Sequence, residues 1–281
     1  MAEFGSTAMA AQALLAETAG YGGTVVAFSG GVDSSVVVAA AARALGTGGM
    51  AAVTAVSPAL PTAELRAARR FCDALGVTHH LVDTRELDVS GYRDNGPQRC
   101  FFCKSTLLDA ALEVAERLGF GTVATGTNAT DVLDRFRPGI AAAAQRGART
   151  PLADAGLDKA AVRAVARLWS LPTWDKPAMA CLSSRIAYGL QITPGRLARV
   201  ERAEASVREA LVVATAPVGL RADLANVRVR DLGEAVRIEV DPQVAENPAC
   251  HPALVDAIRR SGFTHVAVTV EVFRSGSMNA T

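Results

Sequence analysis

Gly23-Thr24-Val25-Val26-Ala27-Phe28-Ser29-Gly30-Gly31-Val32-Asp33-Ser34-Ser35 decides the fold. Its first six residues are a short, apolar, β-branched run without charge, which reads as a buried strand. Ser34–Leu45, rich in Val and Ala and free of Gly and Pro, reads as a helix despite its valines. A strand that turns through glycines directly into a helix gathers backbone N–H groups at the positive end of the helix dipole. Hydroxyls from Ser29, Ser34 and Ser35 add donors. The turn is therefore an anion cradle suited to phosphate, with Ser29, Gly30, Gly31, Asp33, Ser34 and Ser35 as candidate binding residues. Neither G-x-x-x-x-G-K-[ST] nor G-x-G-x-x-G describes it. The bland alternative is a glycine-rich turn that holds nothing.

Outward from this loop the pattern repeats. A helix over Ala10–Ala19 precedes it; strand Ala51–Val56, helix Thr62–Leu75, strand Thr78–Val82, helix Lys104–Leu118 and strand Thr122–Thr125 follow. Alternation of this kind predicts an α/β fold, a doubly wound parallel sheet with helices on both faces and ligands at the carboxyl ends of the strands. Ser57, Gly126 and Thr127 are further candidate cofactor-binding residues, and Lys104 is a candidate for a phosphate oxygen or an exposed lysine at a helix start. Beyond Ala141 the order loosens. A helix covers Asp158–Trp169, and Leu171–Ser184 is expected to be extended because Pro172 and Pro177 break any helix. After Gly189 come helix Arg196–Leu211, strands Asn226–Arg230 and Ala235–Val240, helix Pro252–Ser261 and strand His265–Val270. The boundary is placed near residue 188: a nucleotide-binding domain over 1–188 and a smaller α+β domain over 189–281.

Composition narrows the class. The 281 residues are 50% hydrophobic and 20% charged, enough for a sizeable core and wrong for a disordered chain. A net charge of +1 argues against a dedicated nucleic-acid binder. No apolar run reaches the roughly 18 residues of a membrane span, and the first ten residues hold no basic residue of a secretory signal. A cytoplasmic protein is expected. Five cysteines, an odd number, argue against a disulfide framework, so Cys100-Phe101-Phe102-Cys103 is a candidate metal or redox pair. Cys72 and Cys250 read as buried bystanders. His79, His80, His251 and His265 lack metalloprotease or triad spacing and are taken as structural.

Ser29–Ser35 resembles the PP-loop of the ATP pyrophosphatase superfamily, whose fold is adenine nucleotide alpha hydrolase-like. The resemblance implies that ATP is cleaved between its α and β phosphates, AMP passes to a substrate oxygen, and the loop holds the departing pyrophosphate. Mg2+ would bridge phosphate oxygens near Asp33, making Asp33 and Ser34 candidate catalytic residues. Pro177-Ala178-Met179-Ala180-Cys181-Leu182-Ser183-Ser184-Arg185, Tyr188-Gly189, Asp134-Arg135-Phe136-Arg137-Pro138-Gly139, Val227-Arg228-Val229-Arg230 and Phe273-Arg274-Ser275-Gly276-Ser277-Met278-Asn279 are similar, in order, to the signature of the LarE-type sulfur transferases.

That likeness, which spans nearly the whole chain, implies an enzyme that adenylates a carboxylate of a pyridinium biscarboxylic acid mononucleotide. Sulfur then gives a thiocarboxylate on the way to a nickel-pincer nucleotide. Two chemistries exist in the family: a single cysteine at the Cys181 position surrenders its sulfur, or that cysteine and a C-x-x-C pair hold a [4Fe-4S] cluster by three thiolates. Arg99-Cys100-Phe101-Phe102-Cys103-Lys104 resembles the second type, making Cys100, Cys103 and Cys181 candidate metal ligands and Cys181 a candidate catalytic residue. A sacrificial Cys181, or a zinc site with a fourth ligand, is the alternative. Arg185, Arg228, Arg230 and Arg274 are candidate substrate anchors, since guanidinium matches carboxylate and phosphate, and Ser184 is a further candidate substrate-binding residue. Arg228 and Arg230 share a strand face, which on the bland reading is merely solvated. Glu204 and Glu239 stand where the family has acidic residues near the active site. The implied partners are the small-molecule substrate, a sulfide donor and further copies of the chain in a homo-oligomer, with a hexamer as one form. A tRNA-thiolating enzyme, a non-catalytic nucleotide-binding regulator and an amide-forming ligase are the competing readings. Gly126–Gly147 is expected to be a loop that orders on substrate binding.

Overall fold

The computed structural model describes residues 2–133, 137–177, 181–215 and 226–274. The motif residues 134–136, 178–180 and 275–279 lie outside the described residues. The chain divides into two compact units, Met1–Tyr92 with Gln98–Met179, and Arg93–Pro97 with Ala180–Thr281.

In the first unit the elements run α1 (Ala2–Ala19), β1 (Thr24–Ala27), α2 (Val32–Leu45), β2 (Met50–Val56), α3 (Thr62–Leu75) and β3 (His79–Asp83), then a 3-10 turn at Glu86–Asp88. The short helix α4 (Ser90–Arg93) ends across the division, and α5 (Arg99–Leu118), β4 (Thr122–Ala124), α6 (Ala129–Leu133), α7 (Pro138–Gln145), α8 (Pro151–Asp154) and α9 (Lys159–Leu168) complete the unit. The four strands pair in parallel in the order β3-β2-β1-β4. Alternate strand residues feed two cores. Val26, Phe28, Met50, Ala52 and Ala124 pack with Leu14, Val36, Phe71 and Val165, from α1, α2, α3 and α9. Val25, Ala27, Ala51, Val53 and Val123 pack with Leu108, Ala111 and Val114 of α5 and Ala143 of α7. Helices thus cover both faces, as a parallel sheet requires. The chain leaves β1 toward β2 on one side, while β4 closes the other. The crevice between the carboxyl ends of β1 and β4 is therefore the topological switch point where ligands of such sheets bind.

Several expectations shift. Helix α1 begins at Ala2 rather than Ala10, and α5 begins at Arg99 rather than Lys104, which takes the C-x-x-C pair out of the preceding loop and into a helical turn. Gly126–Gly147 is no open loop; it carries α6 and α7. The stretch after Leu171 is not extended but turned: Trp174 N–H donates to Leu171 O (3.2 Å) and Lys176 N–H to Thr173 O (3.1 Å). Arg163 ties that turn down through Trp174 O at 2.8 Å and Lys176 O at 2.9 Å, so the prolines bend the chain instead of straightening it.

The second unit contains a 3-10 turn at Leu182–Arg185, α10 (Pro194–Thr215), β5 (Val227–Asp231), β6 (Ala235–Val240), α11 (Pro242–Ala245), α12 (His251–Arg260) and β7 (Ala267–Val272). β5 and β6 are antiparallel; β7 joins β6 in parallel, which needs the α12 crossover. Leu197, Val200, Val207, Val229, Ile238, Leu254 and Ile258 are buried in this unit. The division falls about Ala180 rather than near residue 188 because the chain after Cys181 is tied to this sheet. Ile186 bridges Asp231, and Ala187 N–H donates to Asp231 O at 2.9 Å. Residues 93–97 belong here too. Buried Asn95 donates from Nδ2 to Ile186 O (3.2 Å), Ala187 O (2.8 Å) and Leu190 O (3.0 Å).

Candidate functional site

The loop after β1 has the geometry of an anion cradle. Gly30 takes φ +73°, which a side chain rarely adopts, and Gly31 begins α2 with no side-chain cap. The N–H groups of the first turn are thus left to a ligand. Ser34 Oγ organises the turn, donating to Gly31 O (3.1 Å) and lying 3.1 Å from Ser29 Oγ; Ser29 N–H donates to it at 3.3 Å. Ser35 Oγ is buried with no hydrogen-bond partner among the described residues. Gly126, just past β4, lies so close that a Cβ there would meet Ser34 N at 2.7 Å. Its role is to let two backbones meet at the switch point. Thr127 Oγ1 lies 3.2 Å from Thr125 Oγ1, and Ser57 Oγ accepts from Ala59 N–H at 3.2 Å, closing the turn after β2.

Lys159, Asn128, Lys176 and Glu64 at this loop had no local sequence signal. Lys159, the first residue of α9, pairs with Asp33 Oδ2, while Asn128 Nδ2 donates to Asp33 Oδ1 at 3.1 Å. Lys176 donates to Gly30 O at 2.9 Å and to Glu64 Oε2 at 2.5 Å. Uncapped N–H groups, a half-exposed carboxylate and two flanking ammonium groups suit a metal-bound polyphosphate.

Cys100 and Cys103 stand at the start of α5, the former exposed and the latter partly so, neither in a disulfide. At spacing i, i+3 they share a helix face, about 5–6 Å apart at Cβ, the right reach for two ligands of one centre. Among the described residues no group of three or more His, Cys, Asp or Glu side chains is gathered around a metal position. Lys104 is half-buried rather than exposed: a Cβ added at Gly139 would meet its Cβ at 3.7 Å, and burial lowers its pKa, with Cys103 opposing. Cys72 and Cys250 are buried, and burial pushes the Cys72 thiol up to about 12.

In the second unit Cys181 begins the Leu182–Arg185 turn. Its carbonyl accepts from Ser184 N–H (3.0 Å), Ser184 Oγ (2.8 Å) and Arg185 Nη1 (3.1 Å). Arg185 is fully buried and donates from Nε to Glu204 Oε1 at 2.8 Å; the same oxygen receives Val229 N–H at 3.2 Å. Arg230 grips Glu239 Oε2 through Nε (3.0 Å) and Nη2 (2.7 Å) and reaches Ser184 O at 3.0 Å. Arg228 and Arg230 are 2% and 6% exposed, so their shared face is interior, not solvated. Arg228 Nη1 donates to Val227 O at 2.9 Å, and its guanidinium lies 5.4 Å from the Phe273 ring. Burial, followed by the nearby Arg185, lowers its pKa to about 10, with Glu204 opposing. Three buried arginines thus surround two buried glutamates, an arrangement able to accept one further anionic group. Arg274, beside Phe273, is exposed.

A family profile described as asparagine synthase matches residues 23–95, which contain the loop. An uncharacterised protein of Synechocystis sp. is 40% identical over 258 residues, covering 91% of each chain. Pyridinium-3,5-bisthiocarboxylic acid mononucleotide synthase of Lactiplantibacillus plantarum is 30% identical over 257 residues, 91% of this chain and 88% of that one. Argininosuccinate synthase of Halobacterium salinarum is 39% identical over 114 residues, 37% of this chain and 28% of that one. Among the described residues no helix is long and apolar enough to cross a membrane. A cradle of this design and a likeness that runs through both units leave one family: the chain belongs to the LarE-type sulfur transferases, ATP-dependent enzymes of the PP-loop superfamily.

Proposed function

We propose that this enzyme adenylates a carboxylate of pyridinium-3,5-biscarboxylic acid mononucleotide and inserts sulfur to form a thiocarboxylate, a step in nickel-pincer nucleotide formation in the cytoplasm. The whole-length likeness to a bisthiocarboxylic acid mononucleotide synthase carries this reading. In adenylation a carboxylate oxygen bonds to the α phosphorus as the bond from that phosphorus to the β-bridging oxygen breaks; pyrophosphate leaves with the electron pair. Ser29, Gly30, Gly31, Ser34 and Ser35 cradle the leaving group, and Asp33 holds the Mg2+ that enters with ATP. Ser57, Gly126 and Thr127 line the nucleotide. Glu204 and Glu239 hold Arg185 and Arg230 in place, and the cationic surplus of the second unit, with Arg228 foremost and Arg274 beside it, binds the substrate phosphate and carboxylates. Ser184 fixes the backbone next to Cys181.

Sulfide from a donor bonds to the carboxyl carbon of the adenylate, and AMP leaves with the electron pair of the broken C–O bond; Cys100, Cys103 and Cys181, with Lys104 next to Cys103, would hold a [4Fe-4S] cluster for that sulfide. Three cysteines outside any disulfide, in two motifs and with two of them on one helical face, support this over a sacrificial Cys181. When bound, the cluster supplies soft coordination and one open iron position for sulfide. The active form is a homo-oligomer. Anaerobic reconstitution of the wild type and of Cys100→Ala, Cys103→Ala and Cys181→Ala, with iron and labile sulfide measured per chain, tests the proposal. About four irons per chain, lost in each variant, supports it. No cluster in the wild type, together with a Cys181 that loses the mass of one sulfur after turnover, overturns the cluster in favour of the sacrificial route.

A further inference from the structure

We propose that Lys159 is the resident cation of the metal subsite: it neutralises Asp33 while the loop is empty, yields that carboxylate to the divalent ion arriving with ATP, and then faces the departing pyrophosphate. This rests on the reading that Asp33 holds Mg2+. Asp33 stands in the first turn of α2, beside the N–H cradle, and both its oxygens are engaged. Its two partners differ in mobility. Asn128 is buried and doubly anchored: its Oδ1 accepts from Asp131 N–H at 3.0 Å, and its own N–H donates to Asp131 Oδ2 at 3.3 Å. Lys159 has a flexible four-carbon stem with 41% of its side chain exposed.

The backbone beneath the lysine is fixed, because Asp158 caps α9 by accepting from Ala161 N–H at 2.8 Å. A divalent ion at Oδ2 would meet the ammonium head-on, and like charges that close repel. Of the two partners only the lysine can swing aside without breaking a cap. Once displaced, its charge stays at the mouth of the loop, where pyrophosphate gains negative charge as the bond to the α phosphorus breaks. Lys159 then acts as a point charge on a phosphate oxygen, a role that the carboxylate bond withholds until the metal is in place.

Mn2+ binding to the nucleotide-free protein, read by electron paramagnetic resonance, tests the first half. Lys159→Met should bind Mn2+ about two- to fivefold tighter than wild type, the range that loss of a partly exposed ion pair supports. The gain should survive roughly 0.5 M KCl, where long-range fields are screened. Lys159→Arg, whose fork grips a carboxylate with two bonds, should bind Mn2+ more weakly, and it covers the case in which the methionine variant does not fold. Inorganic pyrophosphate in saturating Mg2+, followed by calorimetry, should bind Lys159→Met about tenfold more weakly. Unchanged Mn2+ affinity in both lysine variants, a gain that vanishes in salt, or unchanged pyrophosphate affinity overturns the proposal. Asp33→Asn separates the levels. If it alone loses Mn2+ while both lysine variants match wild type, only the lysine's role fails; if it binds Mn2+ normally, the Asp33 reading beneath it fails.

Discussion

Replacing Gly126 with alanine adds one carbon where there is no room. The new Cβ would lie 2.7 Å from Ser34 N and 3.0 Å from both Asp33 C and Ser34 Cα. Ordinary carbon contacts sit near 3.5 Å or beyond, so the overlap is about half an ångström or more. All three neighbours are backbone in the first turn of α2, and none can rotate away. Either the end of β4 or the start of α2 has to move. Overpacking of this kind costs about 1–3 kcal/mol. In a protein of this size each 1 kcal/mol lowers the melting midpoint by about 2–4 °C, so a fall of about 2–12 °C is expected by circular dichroism. The same displacement takes the phosphate-binding N–H groups off target, and ATP–pyrophosphate exchange should drop about 10- to 100-fold. Gly121→Ala is the control: it has open space within 4 Å and no left-handed φ, and should change stability by less than about 0.5 kcal/mol. A Gly126→Ala enzyme that melts and exchanges like wild type would refute the reasoning.

Two further outcomes follow from the buried groups. Arg185→Met takes from buried Glu204 its closest cation, leaving it Val229 N–H and the more distant Arg208 at 3.9 Å, and should cost about 3 kcal/mol, whereas the double variant Arg185→Met/Glu204→Leu should recover much of it; melts in which the double is as damaged as the sum of the singles would sink the pairing. His79 bonds Thr54 Oγ1 at 2.8 Å and is held below its usual pKa chiefly by burial, so its share of stability is complete above the unfolded value near 6.5 and lost as pH falls toward the lower folded one. Urea midpoints of wild type should therefore drop as pH falls below about 7, and those of His79→Gln should drop less; parallel curves would contradict it.

The sheet was legible because its signals are local. The β-branched runs and glycine turns predicted every strand of the first unit to within about two residues, inside the usual boundary error. Helix α5 was placed late for a physical reason: Gln98 caps it without a side-chain hydrogen bond, so Arg99–Cys103 carries no start signal. The phosphate cradle could be read for the same reason as the strands, since glycines, hydroxyls and helix start are contiguous. Its cations could not. Lys159 and Lys176 lie 126 and 146 residues from their partners in the loop, and nothing around either lysine differs from an exposed helix-start or loop lysine. The alternation puts Arg228 and Arg230 on one face, but whether that face met solvent depended on groups remote in sequence: Ser184 O and Glu239 for Arg230, and the Phe273 ring for Arg228.

Asn95 carries a consequence for how the chain is made. The three carbonyls it ties, from Ile186 to Leu190, come 91 to 95 residues later. At ribosomal speeds of about 5–20 residues per second, that segment waits roughly 5–20 s for its partners, well after β4 has been made. The second unit is therefore no detachable module. A gene cut at the division would strip Asn95 of these three acceptors and leave the other fragment with a seam that its own chain cannot close. Swapping this unit between relatives would succeed only if the five residues at 93–97 travel with it.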